Sequence, residues 1–197
     1  MAAPKEVKFE VPTLALQVAN IRIVGDSPLI CHAWSEKAKK QMLDKQMKKA
    51  KQGKTAKDPE QDFEESLYPM PGGGYGFPAV AFKSAMVGAC RFADGMKMTE
   101  ARGAFHIQGE MIAIEGEPTP REDMVRVGMG TADIRFRGEF KQWSAVLPIV
   151  FNANVISAEQ IVNLLTLAGF GVGVGEWRPE RDGSYGRFLV ASEVQKT

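Results

Sequence analysis

Residues 157–168 set the frame for this chain. Ser157 is placed to cap a helix, and Glu159 lies in its first turn. Ile161, Leu164, Leu165 and Ala168 then recur on one face. Gly169 marks its end. A mostly apolar strand run, SAVLPIVFN, precedes it at 144–152, and a last strand follows at 185–192. Pro148 inside the run points to an edge strand or a bulge. An earlier unit has the same order. Residues 13–24 alternate at Leu14, Leu16 and Val18, then at Ile21 and Ile23, with a slip near Ala19 and Asn20 that suggests a bulge. A helix is expected over 79–93, with Pro78 at its first turn, and an alternating strand over 105–115. The order is βαββαβ. That is an α+β, ferredoxin-like (RRM-like) arrangement, an antiparallel sheet carrying two helices.

Two stretches do not belong to this frame. Residues 35–50 have strong helix formers, a cap at Ser35 and few apolar positions. Nine lysines and one acid, Asp44, lie between 37 and 57, and five acids with no base follow over 58–65. Residues 52–76 read as a long polar loop, so 30–76 is a lysine-rich insertion after the first strand. The second stretch, 117–140, opens on a proline-containing turn region that reaches Asp123. It continues as a hairpin or loop carrying Arg121, Arg126, Arg135 and Arg137.

Composition narrows the class. With 197 residues and 44% apolar residues the chain suits one domain over 1–197 with a full core. Formal net charge is +1, which gives no global argument for a polyanionic partner. The basic and acidic blocks beside each other mean that this neutrality does not exclude one. Cys31 and Cys90 form no disulfide framework or zinc pattern and read as buried thiols of a reducing compartment. The N-terminus reads as a short charged arm, no run approaches a membrane span, and a cytoplasmic location is expected.

The segment GFGVGVGEWRPERDGSYGRF, 169–188, is the most unusual. It has no Lys–Ser/Thr pair entering a helix, and it lies between a helix and a strand rather than a strand and a helix. Both common nucleotide-loop readings therefore fail. Gly171, Gly173 and Gly175 leave a backbone that can approach a ligand closely. Trp177, Arg178, Arg181, Tyr185 and Arg187 interleave aromatics with arginines, which suits stacking on bases and pairing with phosphates. Tight packing of the loop, with Glu176, Glu180 and Asp182 balancing the charge, is the plainer reading.

GFGVGVG at 169–175 and SYGRFLV at 184–190, between the last helix and last strand, resemble the glycine-rich signature of the RAMP superfamily of CRISPR-associated proteins. FPAVAFKSAMVGACR at 77–91 resembles the start of the first helix in its backbone subunits, with Pro78, Lys83 and Arg91 at comparable places. Ala79 stands where glycine is usual. The chain is also similar to small uncharacterised prophage-encoded proteins. The RAMP resemblance implies single-stranded RNA or DNA binding along the loop and first helix, and a thumb at 117–140. The expected contacts are Lys45, Lys48, Lys49, Lys83, Arg91, Arg126, Arg135, Arg137, Gly171, Gly173, Gly175, Trp177, Arg178, Arg181, Tyr185 and Arg187.

The expectation is therefore a non-enzymatic binder of single strands, oligomerising along the strand as a homo-oligomer or filament, without metal or cofactor. Two alternatives stand beside it. One is a phage structural or interaction protein. The other is a metal-independent endoribonuclease using His32 or His106. Cys31 and His32 point to opposite faces of a strand and make a poor nucleophile–base pair.

Overall fold

A computed structural model describes residues 13–49, 57–128 and 130–191. The expected N-terminal arm, Lys51 and Lys54 lie outside the described residues. The elements are β1 (Leu16–Gly25), β2 (Leu29–Ile30), α1 (Glu36–Gln46), α2 (Pro59–Glu65), β3 (Tyr75–Pro78), α3 (Ala79–Ala89), α4 (Met98–Ala104), β4 (Phe105–Ile107), β5 (Met111–Ile114), β6 (Pro118–Val127), β7 (Thr131–Phe140), β8 (Ser144–Asn152), α5 (Ala158–Gly171) and β9 (Phe188–Val190).

The main sheet has the order β4-β8-β1-β9, antiparallel throughout. With α3 between β1 and β4 and α5 between β8 and β9, this is the ferredoxin-like βαββαβ path. The inner face carries Ile21, Ile23, Ala145, Leu147, Ile149, Phe151 and Phe188, all buried. Phe82 of α3 meets Phe188 edge-on, and Phe188 meets Trp143 in the same way. Cys31 and Cys90 are buried free thiols, and burial pushes the Cys31 thiol up to about 12.

Several local expectations need correction. β1 has no bulge: its pairing with β8 runs in one register from Leu16 to Val24. Leu14, Leu16 and Val18 lie on the outer face, exposed, while Ile21 and Ile23 face the core. The apparent slip is a switch in which face is apolar. Pro148 sits in a central strand rather than at an edge, opposite Asn20. Its carbonyl accepts from the Gln108 amide on the β4 side. The missing N–H points the same way, where β4 has already ended at Ile107.

The strand expected over 105–115 is two strands in two sheets, β4 on β8 and β5 on β3. Gly109, at φ +86°, turns the chain between them. The helix expected to reach residue 93 ends at Ala89 and gives way to a 3-10 turn, Cys90–Phe92.

Gly169 does not end α5, which continues to Gly171. A side chain at 169 would overlap the Phe188 carbonyl, so this glycine seats α5 on β9. The stop is Gly173, at φ +68°, whose amide returns to the Ala168 carbonyl. The turn expected over 116–123 is mostly strand. Pro118 and Pro120 are tolerated there because β6 is the outer strand of the sheet β2-β7-β6.

That second sheet joins the two insertions. Leu29 and Ile30 pair with Phe140 and Glu139 of β7, and the Cys31 amide donates to the Gly138 carbonyl. Ser66, after α2, donates to the Phe63 carbonyl and accepts from the Gly138 amide, which fixes α2 to the hairpin.

Candidate nucleic-acid interface

The glycine-rich segment leaves α5 at Val172. Val172 and Val174 are buried, so the alternation alternates core residues with glycines. Gly175, at φ +80°, brings the backbone against β2: a Cβ there would lie 2.6 Å from the Ile30 carbonyl oxygen. The Glu176 amide donates to that same carbonyl. A Cβ on Gly173 would lie 2.7 Å from Pro179, and one on Gly171 2.8 Å from the Phe92 ring. The demand for glycine at these positions comes from the chain's own packing.

Between this loop and the start of α3 lies a cleft of about 390 Å³. Val80, Ala81 and Ser84 line one wall, the 172–180 backbone the other, and His32 and Tyr68 close one end. α3 begins at Pro78 without a side-chain cap, and the Ala79 amide donates to the Glu110 carbonyl. Neither the order of the elements nor the glycine pattern announced the His32 and Tyr68 end. Both come from the insertion: the Glu176 amide bonded to the Ile30 carbonyl holds His32 beside the loop, and the Tyr68 hydroxyl donates to the His32 carbonyl.

From His32 an alternating row of charges runs into the hairpin. His32 Nδ1 lies 3.1 Å from Glu176 Oε1, and Glu176 is 3.9 Å from Arg137. Arg137 donates to Asp123 at 3.2 Å; Arg121 donates to Asp123 at 2.8 Å and to Glu139 at 2.7 Å. Arg121 also lies over the Tyr185 ring, 4.7 Å from its centroid. Arg137 is 5% exposed, and its Nε has no hydrogen-bond partner among the described residues. The His32 hydrogen bond, aided by the Arg137 charge, holds Glu176 below the ordinary glutamate value of 4.5. For Arg121, burial works against the charge, but the bonds to Tyr185, Glu139 and Asp123 win and raise its pKa.

The expected contact residues divide into two groups. Many are already paired. Arg91 and Arg178 both hold Glu180, Arg187 holds Asp26, Arg135 holds Asp133, and Lys49 holds Asp44. Burial favours a neutral Glu180, yet Arg178 and Arg91 outweigh it and lower its pKa. Lys83 donates to the Arg102 carbonyl and contacts His106 Nδ1 at 2.9 Å, which ties α3 to β4. By contrast, Lys45, Lys48, Arg126 and Arg181 are exposed and have no ion pair among the described residues.

Trp177 stands apart. It is 40% exposed and has φ +55°, a left-handed conformation uncommon for a bulky side chain. The Tyr185 amide donates to its carbonyl, and a side chain on Gly183 would overlap that carbonyl. The corner is thus locked from behind, with Arg178 and Arg181 following it in the chain. Among the described residues no group of three metal-ligating side chains is present, and no helix is long and apolar enough to cross a membrane.

No protein-family model matches the chain, and no curated protein matches its sequence. Among solved structures it is similar to Cmr6 from Pyrococcus furiosus, with a TM-score of 0.48 and 10% identity. The match covers 90% of this chain and 98% of that one.

Proposed function

We propose that this chain binds single-stranded nucleic acid, without cutting it, at the corner formed by Trp177. The observation that carries this reading is the left-handed, half-exposed tryptophan on a braced loop. An exposed indole on a rigid support offers a stacking face for any base at little entropic cost. Arg181, four residues on, and Arg126 near the hairpin tip are exposed cations that can take phosphates, as are Lys45 and Lys48 at the end of α1. The paired arginines shape the support. Arg91 and Arg178 brace the loop through Glu180, and Arg121 and Arg137 brace the hairpin.

The test is direct. Freshly purified protein is expected to carry a raised ratio of absorbance at 260 to 280 nm. Stripped protein is expected to bind a labelled single strand, and Trp177→Ala to bind it more weakly with unchanged melting. Equal binding by that variant sinks the assignment to this corner.

A second reading has one observation behind it. His32, hydrogen-bonded to Glu176 at the mouth of the cleft, is an oriented imidazole of the kind a general acid–base enzyme needs. Cleavage of RNA lost in His32→Ala would favour it; RNA left intact after long incubation would dismiss it.

A further inference from the structure

Phe92 is 53% exposed, yet its backbone is firmly held. It ends the 3-10 turn after α3, and the Ala93 amide closes that turn on the Cys90 carbonyl. Cys90 is buried in the core. Arg91 Nε donates to the Gly88 carbonyl at 2.9 Å, which ties the turn to the end of α3. One edge of the Phe92 ring rests on the end of α5: a Cβ on Gly171 would lie 2.8 Å from Phe92 Cε2. Glycine there lets the ring seat against helix backbone while about half of the residue faces solvent. The result is a large flat ring, braced from below and open above.

One carboxylate joins this ring to the Trp177 corner. Glu180 accepts from Arg91 at 3.0 Å through Oε1 and from Arg178 at 2.9 Å through Oε2. Phe92 directly follows Arg91, and Trp177 directly precedes Arg178. Two guanidinium groups share a single carboxylate, so the junction keeps a surplus of positive charge. The Arg91 guanidinium lies 5.9 Å from the Phe92 centroid, and its Nη1 has no hydrogen-bond partner among the described residues. A bare ring beside surplus positive charge is matched by a base and its phosphate. A purely apolar partner would have to desolvate that charge without repaying it.

We infer that Phe92 is a second stacking site for the strand held at Trp177, with Arg91 Nη1 donating to one of that strand's phosphates. The ligand is an unpaired base of either sugar type, because every base offers a π-face. Once one base is stacked on Trp177, a strand long enough to reach Phe92 meets the second ring at high effective concentration. Strand length therefore governs affinity. This inference rests on the Trp177 reading and extends it to a second place on the surface.

The test uses fluorescence anisotropy on full-length protein freed of nucleic acid, with labelled oligo(dT) strands of about 4 to 16 nucleotides, the usual span of single-strand sites. Wild type is expected to gain affinity once a strand spans both rings. Phe92→Leu keeps apolar bulk on Gly171 and removes the π-face. It is expected to bind the long strands about tenfold more weakly, the worth of one stacked base, and the shortest ones normally. Phe92→Met, a second non-aromatic side chain, should behave alike, and Phe92→Tyr should bind like wild type. Trp177→Ala should weaken binding at every length. If Phe92→Leu and Phe92→Met bind long strands like wild type while Trp177→Ala binds weakly, the inference is overturned and the Trp177 reading stands. If Trp177→Ala binds every length normally, both fall. A Phe92→Leu variant that changes the sedimenting mass but not the affinity marks the ring as a protein contact and also overturns the inference.

Discussion

His32 and Glu176, 144 positions apart in sequence, hydrogen-bond to each other at 3.1 Å and couple the insertion to the glycine-rich segment. Glu176 is held below the ordinary glutamate value by that bond first and by Arg137 second. A depressed carboxylate adds stability above its unfolded pKa, and that stability is lost as pH falls through the folded value. Wild type is therefore expected to melt higher than Glu176→Gln at neutral pH. The gap should hold down to about pH 4.5 and close below it. Thermal melts across pH check this, and a gap that persists through the acid range contradicts it.

Glycines at 169 and 103 give opposite expectations. A side chain at 169 meets the Phe188 carbonyl, whereas one at 103, within α4, meets nothing within 4 Å. Gly169→Ala is expected to destabilise by about 1–3 kcal/mol through overpacking. Gly103→Ala is expected to stabilise by about 0.4–1 kcal/mol by restricting the unfolded chain. Denaturant titrations of both variants measure the signs.

The frame was legible in the sequence, and its particulars show why. Ile161, Leu164, Leu165 and Ala168 at helical spacing gave α5, and Ser157 is its cap, bonded to the Gln160 amide. Alternation marked β1, and a mostly apolar run marked β8. What misled was local. The slip at Ala19 and Asn20 read as a bulge, but Leu16 and Val18 lie on the outer face of β1 and Ile21 and Ile23 on the inner, since periodicity gives two faces without saying which is covered. Pro148 pointed to an edge strand or a bulge, because the sequence does not show where a neighbouring strand stops. The site was less legible. Arginine spacing marks charge, not partner, so Arg137 looked available although it is buried beside Asp123. The signal at Trp177 was its place after alternating glycines; its left-handed backbone, with Gly183 packed against its carbonyl, has no mark in the residue pattern.

Arg137 gives a prediction that separates support from contact. Asp123 loses one of its two arginine partners in Arg137→Met and keeps Arg121, so the cost is expected to fall below the roughly 3–5 kcal/mol of a buried charge left unpaired. The loss should appear in the melting temperature. A variant that melts like wild type but loses nucleic-acid affinity would show instead that Arg137 is a contact.

Trp177→Gly separates strain from stacking. Glycine adopts φ +55° freely, so the variant is expected to gain stability of about 1 kcal/mol. It should also bind single strands more weakly by about 1–3 kcal/mol, the worth of one stacked base. Melting and binding then move in opposite directions. If binding is unaffected, the indole is not a stacking face.

Base stacking at the Trp177 corner, with phosphate contacts from Arg181 after it and Arg126 near the hairpin tip, makes single-strand binding depend on salt, which a titration measures. Fluorescence anisotropy of a labelled single strand, measured from about 50 to 200 mM salt, should give affinity that falls linearly on a log–log plot. Arg181→Ala and Arg126→Ala should each reduce that slope by about 0.7, the value of one single-strand phosphate contact. Affinity that ignores salt, or no binding at the low-salt end, would contradict single-strand binding by these residues.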